Sequence, residues 1–241
     1  MPEYLVEVLI LFGCVALAGG VVLAMKRPLH GKTGFLLSFS GAFLMGFCFM
    51  HLLPFVFNSD LNNPGAWIVG GFLIQILFEL LSGGVEHGHF HAHTQTHAQQ
   101  RFPFAMMIGL CLHAFFEGMP FGTHEHAHNH GLLLGIVMHK VPVALVLGGM
   151  FLSAGYTKLK SMFWLLVFAS MSPLGAISYT FLEMLPFVDG PKLAVASTGL
   201  LVGILLHVAT TILFESSDGH KLNVAKFITI LIGLSLAYFS G

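Results

Sequence analysis

Apolar stretches of about 20 residues, the length that spans a bilayer, recur along the whole 241-residue chain with only short polar breaks between them. Eight stand out: Tyr4–Met25, Gly34–Phe57, Gly65–Val85, Phe102–Phe121, Gly131–Ala154, Ser161–Pro186, Lys192–Phe214 and Leu222–Phe239. In hydrocarbon every backbone N–H and C=O must find its partner within the protein. Continuous apolar runs of this length are therefore helices; barrel strands would alternate apolar and polar residues over about 10 positions. The pattern predicts an all-α integral membrane protein with eight transmembrane helices. Residues 1–241 form one transmembrane domain with no room for a separate soluble one.

Polar breaks set the orientation. Lys26, Arg27 and Lys32 follow the first run, Arg101 precedes the fourth, Lys158 and Lys160 separate the fifth and sixth, and Lys221 and Lys226 flank the last connection. All of these connections fall on one side, while the other side holds only Lys192 and the remaining base, Lys140, lies inside a run. Basic loops stay cytoplasmic, so both termini are expected on the extracytoplasmic side of a cell membrane, plasma or inner. The first run is preceded by Glu3 rather than by positive charge, which marks a retained helix rather than a secretory signal.

Composition agrees: 56% of residues are hydrophobic and 9% charged, against about 25% charged in a soluble domain. A net charge of −1 offers nothing for a nucleic-acid partner. Cys14, Cys48 and Cys111 lie in different runs without CxxC spacing and read as small buried hydrophobes.

Ionisable groups within the runs carry the chemistry, because charge at membrane depth is costly and marks function. His113 and Glu117 are spaced i,i+4 and project from one helix face. His113 lies nine residues before Gly122, and His139 eight residues after Gly131. At about 1.5 Å per residue both sit on the order of 12–13 Å below the same surface. Two antiparallel helices thus bring two imidazoles and a carboxylate to one height, a donor set suited to a borderline divalent cation such as zinc. Three ligands and one exchangeable position let the ion leave again. Pro120 and Pro142 lack the N–H that Phe116 and Met138 would accept, so both helices are expected to bend there. Lys140, about 100° around the helix from His139, is expected to line the same path, its ammonium either repelling or replacing a second cation or neutralising Glu117 when no cation is bound.

Histidines also crowd two connectors. The polar loop at about 86–101 carries His87, His89, His91 and His93, with His97 beyond, and suits weak capture of transition metals. His124, His126, His128 and His130 lie between the fourth and fifth runs, with Glu125 among them. Lower weight falls on His51, a guide near the outer end of the second run, on His207 in the seventh, and on Glu79, an exit-path or loop-pairing carboxylate in the third.

His113-Ala114-Phe115-Phe116-Glu117-Gly118 and His139-Lys140-Val141-Pro142-Val143-Ala144 resemble the paired signatures of the ZIP family of zinc and iron transporters. His51-Leu52-Leu53-Pro54, Ser172-Pro173-Leu174-Gly175 and Leu206-His207-Val208-Ala209 look like parts of its second, sixth and seventh spans. The resemblance covers essentially the whole chain. It implies a ZIP-like helix bundle that moves divalent metal toward the cytoplasm, with His113, Glu117 and His139 as primary-site ligands and Ser172 as a further hydroxyl. Lys140 and Val143 stand where members holding two metals carry ligands, which resembles the subgroup with Lys after the span-five histidine. Zn2+ is the expected cargo, with Fe2+, Cd2+ and Mn2+ as alternatives. Metal cations and lipid are the expected partners, and small residues permit a homodimer. No GxxxxGK[ST] loop is present to bind ATP. The rival readings are an intramembrane zinc hydrolase using Glu117 as base, disfavoured because HExxH is absent, and a metal sensor or store built on the histidine loops. The chain is expected not to be an enzyme.

Overall fold

The computed structural model describes residues 4–25, 33–82, 104–123, 129–215 and 224–240. The histidines at 87, 89, 91, 93, 97, 124, 126 and 128, with Lys26, Arg27, Lys32, Arg101 and Lys221, lie outside them.

The described chain is helical. It runs through α1 (Leu5–Ala24), α2 (Thr33–Phe47), a π-helical turn (Cys48–Leu52), α3 (Leu53–Phe57) and α4 (Pro64–Ser82). Then come α5 (Phe104–Gly118), a 3-10 turn (Met119–Gly122), α6 (His130–Ser153), α7 (Lys158–Glu183), α8 (Gly190–Glu215) and α9 (Val224–Phe239). Taking α2, the π turn and α3 as one rod, each of the eight apolar runs corresponds to one helical segment. Six of these are long and apolar enough to cross a membrane among the described residues. Met106–Gly122 and Val224–Phe239 are shorter.

Caps, not hydropathy, fix several ends. Thr157 Oγ1 accepts from the Lys160 amide and starts α7 three residues before the apolar run begins. Asn129 Oδ1 accepts from Leu132 N–H at 2.9 Å and starts α6.

The prolines act differently from one another. Pro120 falls where α5 tightens into the 3-10 turn. Pro142 lies inside α6, which continues through it as helix. Pro54 leaves the carbonyl of Met50 without its usual partner. The chain answers with the π turn, in which Leu53 N–H reaches back to Cys48 O.

Among the described residues many large apolar side chains face outward while several polar and charged ones are buried, the reverse of a soluble fold. Leu9, Leu17 and Val21 on α1, and Phe227, Ile228 and Leu231 on α9, face outward. Within, beside a small cluster of Leu37, Val208 and Ile212, the two larger apolar clusters stack along the bundle. One holds Leu11, Phe43, Phe47, Phe121, Leu132 and Ile136; the other holds Val15, Leu110, Val143, Leu147, Leu165 and Phe168. Helix α5 passes from the second cluster at Leu110 and Ala114 to the first near Phe121, and α6 passes the other way from Ile136 to Val143. His113, Glu117 and His139 fall on these two helices where the clusters meet.

Candidate metal site

Helix α5 presents His113 and Glu117 one turn apart on one face, and α6 presents His139 and Lys140 against them. Close approach of α7 holds α5 in place. A Cβ at Gly118 would run into the carbonyl oxygen of Ser172, and one at Gly175 into that of Phe115, so only glycine permits this backbone contact. Ser172 then donates its hydroxyl to the carbonyl of Ala114 at 2.8 Å, tying α7 to α5 directly above the site.

The side chains converge. One ligand atom from each of His113, Glu117 and His139 lies within 4.8 Å of the others, and all three residues are at most 2% exposed. Tetrahedral zinc with ligands at about 2.0–2.1 Å needs donors roughly 3.3 Å apart. Small side-chain rotations cover the difference. His113 Nε2 lies 3.2 Å from Glu117 Oε1, and the two imidazole rings meet edge to face with centroids 5.9 Å apart. Neither ring nitrogen of His139 has a hydrogen-bond partner among the described residues. A buried polar atom without a partner costs about 1–3 kcal/mol, so this imidazole is held ready for something that accepts its lone pair.

Lys140 shares the carboxylate. Its Nζ lies 2.5 Å from Glu117 Oε2, and 5.3 Å from the centroid of the Phe168 ring. One carboxylate oxygen is thus taken by an ammonium while the other faces the histidines. With neutral imidazoles the group carries no net charge, which keeps a fully desolvated cluster affordable.

One neighbour was not foreseen from sequence. Gln75, fully buried on α4, places Oε1 2.9 Å from His113 Nδ1. Its only sequence signal is a lone amide in an apolar run, four residues before Glu79.

The remaining candidates lie apart from this cluster. Glu79 Oε2, also on α4, meets His207 Nε2 on α8 at 3.3 Å, with the Phe72 ring edge-on to the imidazole. Two residues weighed separately in the sequence thus form a single His–carboxylate pair near the end of α4 that leads into residues 83–103. His51, inside the π turn, bonds through Nε2 to the carbonyl of Ala237 at 2.9 Å and stacks obliquely on Phe47. It braces α9 rather than reaching the cluster.

Comparison with known proteins identifies the family. The sequence profile described as ZIP zinc transporter matches residues 82–241, from the end of α4 onward. Protein zntD of Dictyostelium discoideum is 28% identical over 167 residues, which cover 63% of this chain and 24% of that protein. The chain therefore spans about a quarter of the length of that relative. With the profile matching well over half of the chain, this multi-pass membrane protein belongs to the ZIP zinc transporter family, whose members are transporters rather than enzymes.

Proposed function

We propose that the chain carries divalent cations, zinc before iron, cadmium or manganese, across a membrane toward the cytoplasm, and that the cargo binds His113, Glu117 and His139. The observation that carries this reading is the convergence of these three buried side chains from two helices in an otherwise apolar interior. Two imidazoles and one carboxylate oxygen favour zinc over magnesium or calcium, which prefer all-oxygen shells.

Lys140 sets how tightly the cargo is held. Without it the site would carry −1 before binding and +1 after; with it the charge rises from 0 to +2. The ammonium lowers affinity and favours release, which a carrier needs and a structural zinc site does not. It also blocks a second cation from the far oxygen of Glu117.

Release proceeds along α4. Glu79 lies one turn beyond Gln75, about 6 Å along the helix axis, and with His207 offers the next His–carboxylate station. Beyond it the chain enters the histidine-rich residues 83–103, whose imidazoles receive the cation on the cytoplasmic side. On this reading the chain crosses the membrane eight times, with both termini outside. Support comes from the sidedness of the basic residues. Lys192, the lone base on the outer side, is hydrogen-bonded to Asp189 at 2.9 Å, which neutralises it and holds the Asp189 carboxyl below its ordinary range. Residues 1–241 act as one transport domain.

Radioactive zinc uptake into proteoliposomes tests the site. His113→Ala, Glu117→Ala and His139→Ala should each reduce uptake to the level of protein-free vesicles. Wild-type rates in the first two would remove the site.

A further inference from the structure

Gln75 is the polar residue next to the site for which neither the sequence motifs nor the cation chemistry gives a role. It lies in the middle of α4 and is fully buried. Burying an amide costs several kcal/mol unless its atoms are hydrogen-bonded, so an apolar helix keeps one only where the bond does something. That bond runs between helices, from His113 Nδ1 to Gln75 Oε1 at 2.9 Å, across 38 residues of sequence.

We propose that Gln75 is a positioning residue: its amide carbonyl fixes the His113 tautomer, so that Nε2 presents a lone pair to the cation. This rests on the reading of His113 as a cargo ligand. A carbonyl oxygen only accepts, so the proton stays on Nδ1. The neutral imidazole then has its lone pair on Nε2, which faces Glu117 Oε1 at 3.2 Å and the space shared with His139. The same bond fixes the rotation of the ring. Partners of this kind behind a metal-binding histidine are worth about 10–100-fold in metal affinity. Helix α4, which supplies no ligand to the first site, thereby helps to set its affinity.

Two near-isosteric variants separate positioning from packing. Gln75→Leu fills the space but cannot accept a hydrogen bond; Gln75→Glu keeps the acceptor and adds a buried charge. Zinc-dependent uptake into proteoliposomes should show KM raised 10–100-fold in Gln75→Leu, with the maximal rate largely kept, and KM within about threefold of wild type in Gln75→Glu. If the amide only packs, the order reverses, since leucine is tolerated and the buried charge is not. That result, or a wild-type KM in Gln75→Leu, overturns the proposal.

A measurement on the unmodified protein covers the case in which the leucine variant fails to fold. Nitrogen-15 spectra of histidine-labelled, zinc-free wild-type protein, with His113 assigned by its loss in His113→Gln, should show the Nδ1–H tautomer; an Nε2–H tautomer overturns the proposal. His113→Ala in the same vesicles keeps the two claims apart. Undiminished uptake there would defeat the cargo site itself, whereas abolished uptake beside a wild-type KM in Gln75→Leu would defeat only the role of Gln75.

Discussion

Glu117 divides its two oxygens between a histidine and an ammonium, and the behaviour of the site follows from that division. Removing Lys140 leaves a buried carboxylate without its counter-charge, a change that costs about 3–5 kcal/mol in comparable buried pairs. Lys140→Met should therefore lower the thermal stability of the metal-free protein, and zinc should raise it by more than it raises wild type, because the cation replaces the missing charge. Differential scanning fluorimetry with and without zinc reads both effects; equal zinc-induced shifts in the two proteins would contradict the charge argument. The convergence of His113, Glu117 and His139 was legible in the sequence because helical spacing and residue counts from the connectors set their face and depth. Gln75 was not, because a bond between two helices leaves no spacing on either one. The pairing of Glu79 with His207 was hidden for the same reason.

Helix packing depends on backbone contact between α5 and α7. A methyl group at Gly175 would meet the carbonyl of Phe115, whereas nothing lies within 4 Å of a Cβ at Gly149 in α6. Gly175→Ala should separate the helices, lower the unfolding temperature and abolish uptake. Gly149→Ala should be neutral or gain up to about 1 kcal/mol from the lower cost of ordering alanine in a helix. Thermal unfolding followed by size-exclusion chromatography compares the two, and equal behaviour would show that the approach of α5 and α7 is not what holds the site. The apolar runs predicted the helices themselves, but not their ends, which Thr157 and Asn129 set by side-chain capping. Nor did a proline rule foresee three outcomes. Pro54 sits beside a π turn, Pro120 in a 3-10 turn and Pro142 in uninterrupted helix.

Among the described residues the two larger apolar clusters stack, with His113, Glu117 and His139 at their seam and a His–carboxylate pair farther along α4. If the basic connectors face the cytoplasm, single cysteines at 158 and at 189, in a background lacking Cys14, Cys48 and Cys111, should react with a membrane-impermeant maleimide from opposite sides. Labelling of both from one side would overturn the assigned topology. Deleting Glu86–His97 should slow zinc release or change its dependence on concentration while leaving transport intact; complete loss would instead favour a protein that senses or stores metal.

The most direct measurement is anomalous diffraction at the zinc edge from zinc-soaked crystals. The account predicts one strong peak at about 2.0–2.2 Å from an imidazole nitrogen of His113, an imidazole nitrogen of His139 and Oε1 of Glu117, with Lys140 still on Oε2. A peak that leaves these three side chains unligated, in protein that still transports zinc, would contradict it.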